Sequence, residues 1–467
     1  MHKTLIALAT TVLVCGQVCA KAPRLPKDLP SYAPDKPLPV PQIEQKTLGN
    51  GLIVWAIPRQ GLPRVDYVLA FRGAGLAADP KDRPGFASIL AGLLSEGTEK
   101  HDSKSIAEIA QGHGGGIGAS AGNDGLTLYA NALASHAEPM LDLLAEVTRT
   151  PVFPEKEVAL TRANALQGLK AAEAQPGFRA ERAILAAIYG DHPYARTQAT
   201  EESINAFTRE ELQRAHAQRL RPDQALLVVT GRIEADAAFA LAEKAFGDWE
   251  VEDTGPEVIA ASRDRAKPSL VHLERAGSVQ SALRIGRPAV AAAHEDAIPL
   301  RLVTTILGGG FSSRLMQNLR EDKGYTYGAS VGYRSQSVGG ALVAGADVRN
   351  EVTGAAIGEF MAEFKRIGTQ TVPAAELEMH KRFVAGGYLI GNQLQASVAG
   401  TLAGNWLVGL PPEYLGEYVP KVRAVSAEQI LQMGRKYYAV DQWSIVVVGD
   451  AAVAGQLRQY GKFETVK

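Results

Sequence analysis

The stretch LGGGFSSRLMQNLREDKGYTYG, residues 307–328, joins a glycine triplet, a short amphipathic segment and a pair of tyrosines. Local rules give it an expected shape. Ser312 or Ser313 is placed to cap a helix start, because a short hydroxyl side chain accepts from the first free N–H groups. Phe311, Leu315 and Leu319 follow at intervals of four, on one helical face. Gly324 suits the left-handed residue that ends a helix. Tyr325 and Tyr327 stand two apart, so on a strand they share a face. Arg320 falls in the last helical turn and Tyr327 just past it, and both are expected to point into one space where a peptide is held. The residues alone also admit plainer readings. A cation near a helix C-terminus is favoured by the macrodipole, and tyrosines are common strand residues. Gly308, Gly309 and Gly310 either let the backbone approach a substrate or simply separate two helices. No strand-and-lysine context makes them a phosphate loop.

Working outward, this stretch is half of a repeat. Residues 117–122 (IGASAG) match 327–332 (YGASVG), an offset of 210, and 224–231 (QALLVVTG) match 442–449 (QWSIVVVG), an offset of 218. A helix follows the strand at 126–132, as another follows the strand at 341–346. Two copies at that spacing mean duplicated domains rather than a solenoid. Each copy mixes antiparallel-looking strands with long helices, so the fold class is α+β: two homologous lobes, each a mainly antiparallel sheet packed with helices. The first lobe is read as residues 43–250 and the second as 269–467, joined by a polar, charged linker at 251–268. The first lobe opens on an Asn50-Gly51 turn, a strong hairpin signal. A two-lobed chain offers a cleft between its lobes.

The chain has 467 residues, 46% of them hydrophobic and 21% charged, with a formal net charge of -1. This is an ordinary globular composition, and no basic run points to nucleic acid or to an anionic membrane. Residues 1–20 read as a secretory signal peptide: His2 and Lys3 precede an apolar run, and Val18-Cys19-Ala20 resembles a cleavage site. The run is short for a membrane span, although an uncleaved anchor is the alternative. Export, to a bacterial periplasm, is therefore expected, with no stable membrane anchor. Both cysteines, Cys15 and Cys19, lie in this leader, leaving the mature chain without a disulfide or thiolate site. Residues 21–42 form a proline-rich arm, expected to be extended: a wrap around a neighbour or only a spacer.

Residues 85–98 (GFASILAGLLSEGT), the run 308–328, the opening turn and the closing Val446-Val447-Val448-Gly449-Asp450 together resemble the M16 (pitrilysin, inverzincin) metallopeptidases, most closely the two-lobed form of mitochondrial processing peptidase and its bacterial relatives. Active members carry His-x-x-Glu-His on the helix corresponding to 85–94, two zinc ligands and a general base. Ser88, Ala91 and Gly92 occupy those positions. The third ligand of the family is a glutamate on a later helix, and the matching region, 166–170 (LQGLK), has no carboxylate. The nine histidines agree independently, since no two stand three or four apart. The resemblance thus implies no metal in this chain. Some members work as pairs, in which a zinc-free subunit keeps an arginine and a tyrosine that reach the partner's active site; the matching residues here are Arg320 and Tyr327. The implied function is a non-catalytic, substrate-binding subunit whose zinc-bearing M16 partner supplies the metal, acting on unfolded peptides. The alternative is a peptide-binding or scaffold protein of the same fold with no catalytic partner. Serine chemistry lacks any local signature of a positioned histidine base.

Overall fold

The computed structural model describes residues 40–250, 259–260 and 268–466. The leader at 1–20, nearly all of the arm at 21–42 and most of the linker at 251–268 lie outside these described residues.

The first half contributes β1 (Glu44–Thr47), β2 (Ile53–Pro58), β3 (Arg64–Arg72), β4 (Gly116–Ala121), β5 (Gly125–Leu133) and β6 (Ala225–Gly231). Its helices are α1 (Phe86–Leu93), α2 (Ser103–Gly112), α3 (Ala137–Arg149), α4 (Glu155–Glu173), α5 (Pro176–Tyr189), α6 (Glu201–Ala206), α7 (Arg209–Arg219) and α8 (Ala235–Phe246). The second half contributes β7 (Leu270–Glu274), β8 (Gln280–Ala289), β9 (Ala329–Ser335), β10 (Gly340–Arg349), β11 (Ser444–Gly449) and β12 (Glu464–Val466). Its helices are α9 (Ala297–Gly308), α10 (Thr353–Thr369), α11 (Ala374–Gly391), α12 (Gln395–Leu407), α13 (Tyr414–Ala424), α14 (Ala427–Tyr437) and α15 (Ala454–Leu457).

The strands form two six-stranded sheets, ordered β1-β2-β6-β3-β5-β4 and β12-β7-β11-β8-β10-β9. From the second position inward the orders correspond strand for strand. The one parallel inner pair recurs too, β2 with β6 and β7 with β11. The duplication read from the sequence is therefore a duplication of topology. The Asn50-Gly51 turn closes the first hairpin, with Gly51 at φ 91° and its N–H donating to Leu48 O at 3.0 Å.

The central strands of each sheet are buried on both faces because the halves exchange a helix. α5 of the first half packs on β8 and β11, and α12 of the second packs on β3 and β6. This explains why β6 and β11 are continuous apolar runs rather than alternating ones: every residue of both is buried. Arg72 on β3 fastens α12 in place, donating to Trp406 O from Nε at 3.0 Å, with its guanidinium 3.8 Å over the Trp406 ring. Among the described residues no helix is long and apolar enough to cross a membrane.

Candidate functional site

The first-half site rests on α1. Asp79 anchors this helix: its carboxylate accepts from Ala87 N at 3.0 Å and from Arg219 at 2.9 Å. Burial pushes the Asp79 carboxyl up, and the Arg219 charge and hydrogen bond oppose it. The helix is thus held firmly in place. Ser88 and Gly92 face outward, one turn apart, while Ala91 is 2% exposed and belongs to the first-half core. On the neighbouring α4, Leu169 is buried and Gly168 is exposed with open space where a Cβ would stand. A zinc ion needs nitrogen, sulfur or carboxylate donors converging on it. A serine hydroxyl, a core methyl and two glycines do not supply them. Among the described residues no group of three His, Cys, Asp or Glu side chains is placed to hold a metal. The residues present do not fit zinc.

The second-half stretch departs from its expected shape in three ways. First, the helical segment is a π-helix, Met316–Asp322. Such turns are rare and recur at functional sites. It closes as the glycine foretold: Gly324 has φ 62°, and Tyr325 N–H reaches back to Leu319 O at 2.9 Å. Second, neither serine caps it. Ser313 is fully buried and its Oγ has no partner. Phe311 precedes the helix and is 75% exposed, whereas Leu315 and Leu319 are in the core. Third, Tyr325 and Tyr327 are not strand neighbours, because β9 begins only at Ala329. Tyr325 packs against the second-half core, and Tyr327 is 91% exposed.

What holds this segment is a buried polar frame that residue spacing did not reveal. Arg314, 9% exposed, grips Glu376 of α11 with two hydrogen bonds, Nε to Oε1 at 2.7 Å and NH2 to Oε2 at 2.9 Å. Burial acts to raise the Glu376 carboxyl, but the Arg314 hydrogen bond and charge outweigh it and hold the group below its ordinary range. His380, one turn along α11, is held low by burial. Asn318 donates to Glu359 and Glu363 of α10 at 2.9 and 3.2 Å. Beyond the segment, Thr326 Oγ accepts from Gly328 N at 3.1 Å and donates to Asp347 O at 2.8 Å, which fixes the loop carrying Tyr327.

On this frame Arg320 leans over the Phe311 ring at 5.1 Å and lies 3.5 Å from Glu321. No hydrogen bond joins Arg320 to Tyr327 among the described contacts; each is presented separately. Phe383 and Met379 of α11 are also exposed, at 58% and 42%, and Phe383 reaches toward Gly310. Of the glycine triplet, Gly308 serves packing: a Cβ there would fall against the β9 backbone at Val331 and Ser330. Gly310 has only the tip of Phe383 near it, at 3.5 Å. Among the described residues β9 is one edge strand of its sheet, as β4 is of the other. A polar depression of about 340 Å³ adjoins Gly328, lined by Ser330, Arg284, Arg334 and Asp347 of the sheet and Glu181 of α5.

A family model described as Insulinase (Peptidase family M16) matches residues 69–202, and one described as Peptidase M16 inactive domain matches residues 206–384. The uncharacterized zinc protease YmxG of Bacillus subtilis is 26% identical over 379 residues, 79% of this chain and 89% of that protein. The non-peptidase homolog YmxG of Helicobacter pylori is 21% identical over 396 residues, 83% of this chain and 90% of that protein. An uncharacterized zinc protease of Mycobacterium leprae is 29% identical over 258 residues, and the match spans 55% of this chain and 58% of that relative. The crystal structure of a peptidase M16 inactive domain from Pseudomonas fluorescens superposes with a TM-score of 0.82 at 26% identity, covering 88% of this chain and 98% of that one. With two family models matching residues 69–202 and 206–384 and a duplicated fold shared with a solved relative, the chain belongs to the M16 peptidase family, and its residues 206–384 match that family's inactive domain.

Proposed function

We propose that this chain is the zinc-free, substrate-holding subunit of a heteromeric M16 peptidase that acts on unfolded peptides after export. The observation that carries this reading is the asymmetry between its halves. α1 offers no donor for a metal, yet Phe311 and Tyr327 are exposed and Arg320 is half-buried beside them, on a segment braced by the largely buried Arg314–Glu376 pair. Exposed aromatics beside an arginine suit a surface covered by a partner or a peptide. A guanidinium presents a fork of donors to a peptide carbonyl or carboxylate. A phenol can donate to the oxygen that becomes negative when water attacks a peptide bond. The water itself would be activated in the zinc-bearing partner, because nothing at Ser88, Ala91 or Gly92 can do so. The open edge of β9 suits an extended peptide adding as a further strand.

A second reading is a peptide-binding or scaffold protein with no catalytic partner; the naming of the Helicobacter relative as a non-peptidase homolog favours it. Expression of the chain alone and with candidate zinc-bearing M16 homologues separates the two. Zinc content and peptide hydrolysis are measured for each preparation. The subunit reading expects neither zinc nor activity in the chain alone and both in one mixed complex. Stoichiometric zinc and hydrolysis by the chain alone would refute it.

A further inference from the structure

A cavity of about 330 Å³ lies in the second half, away from the segment that carries Arg320 and Tyr327. Ser335 ends β9 beside it, and β9 begins near Tyr327, so the separation is roughly 20 Å at ~3.3 Å per strand residue. Its walls are three tyrosine rings from two helices. Tyr388 of α11 lies 4.3 Å from Tyr418 of α13, centroid to centroid, and Tyr414 lies 5.9 Å from Tyr418. Burial pushes the Tyr414 phenol up to about 12, so it stays neutral.

Arg301, Ser335 and Asn405 bring polar groups to the same space. Arg301 of α9 sits over the Tyr333 ring at 5.4 Å and donates to Ser335 Oγ at 3.1 Å. Among the described residues no carboxylate lies within ion-pair distance of it, unlike Arg314 or Arg219, which are paired with Glu376 and Asp79. Asn405 of α12 has its Nδ2 hidden from solvent with no hydrogen-bond partner. A semi-buried guanidinium without a counter-charge attracts an anion. At Gly404, on the rim, a Cβ would meet nothing within 4 Å, which leaves a way out for a chain.

We infer that this cavity is a second peptide-binding site, one that takes the free carboxylate end of a peptide whose last side chain is apolar. The carboxylate pairs with Arg301, the peptide backbone lies against Asn405, and the side chain lies among Tyr388, Tyr414 and Tyr418. The volume is at the small end for ligand pockets and suits one or two residues. Edge strand β9 runs between this cavity and Tyr327, so a bound end here would keep the rest of a peptide beside that edge. The inference does not depend on a zinc-bearing partner, and its test uses the full chain by itself.

Calorimetric titration is made with N-acetyl-alanyl-phenylalanine, its C-terminal amide and phenylacetate. The acid should bind about tenfold or more tightly than the amide, the effect of one charge-assisted pair, and more tightly than phenylacetate. Arg301→Gln should abolish the preference for acid over amide. Asn405→Leu, a replacement of similar size, should weaken acid and amide alike, and it carries the test if the arginine variant does not fold. Absence of binding by the acid at millimolar concentration would overturn the inference. So would equal binding of acid and amide, tighter binding of phenylacetate, or full affinity in a folded Arg301→Gln or Asn405→Leu chain.

Discussion

Replacing Glu376 by glutamine should loosen the segment that presents Arg320. The carboxylate accepts both guanidinium bonds of Arg314, at 2.7 and 2.9 Å, and the side chains are 8% and 23% exposed. Arg314 cannot shed its proton, and its remaining terminal nitrogen already has no partner. Glu376→Gln therefore leaves a buried charge uncompensated. Breaking a fully buried pair costs about 3–5 kcal/mol; with Glu376 nearly a quarter exposed, about 2–3 kcal/mol is expected after screening. The double variant Arg314→Met with Glu376→Leu removes both charges and refills the volume, and should lie within about 1 kcal/mol of the parent chain. Urea unfolding followed by tryptophan fluorescence checks this, with Trp443 reporting on the second-half core and Trp406 on the contact of α12 with β3. A Glu376→Gln loss below about 1 kcal/mol, or a double variant as weak as the single one, would refute the view that the pair braces this segment.

Three further outcomes follow from the packing. Gly308→Ala should cost about 1–3 kcal/mol because its Cβ meets the β9 backbone, whereas Gly310→Ala should stay within about 0.5 kcal/mol; thermal unfolding of both variants distinguishes them. Ser88→His with Gly92→His should leave the chain folded, since both positions are exposed, while adding Ala91→Glu places a carboxyl at a core position and should lower stability by about 1–3 kcal/mol in the same measurement. Burial holds His380 and His216 below the ordinary histidine value, with Glu376 opposing the shift at His380 and the Thr148 carbonyl opposing it at His216. Between the folded and unfolded values the unfolded chain binds more protons. Stability from these two groups is therefore complete above about pH 6.5 and falls as the pH drops below it. Unfolding midpoints taken from pH 7.5 down to pH 5.5 should show the decline, and His216→Gln with His380→Gln should flatten it.

The sequence made the architecture legible because it was written twice. The paired runs at 117–122 and 327–332 mark the edge strands β4 and β9, and the runs at 224–231 and 442–449 mark the central strands β6 and β11. What escaped the sequence is the helix exchange. α12 buries Val398, Leu402 and Trp406 at helical spacing, but that stripe does not say which half's sheet it meets. That Ser88, Ala91 and Gly92 offer no convergent nitrogen, sulfur or carboxylate donors follows from their side chains alone. The π-helix was not, because nothing in four-residue spacing distinguishes it from an α-helix; what accompanies it is the nonlocal clasp of Arg314 on Glu376 and Asn318 on Glu359 and Glu363. Tyr325 and Tyr327 part company for a similar reason. The backbone turns at Gly324, and Thr326 ties the loop to Asp347 before β9 begins. The tyrosine cavity at Arg301 draws on residues far apart in the chain and had no linear signature.

The central proposal is that Arg320 and Tyr327 complete a site whose metal belongs to another chain. The most direct measurement is kcat/KM for peptide hydrolysis by the assembled pair, with Arg320→Ala and Tyr327→Phe each introduced into this subunit and pairing checked by gel filtration. Removal of a donor that acts on developing charge costs about 100-fold or more. A loss of that order in each variant, with zinc content and pairing unchanged, is the result expected. Hydrolysis at the parent rate by either intact mutant pair would contradict the proposed role of the residue removed.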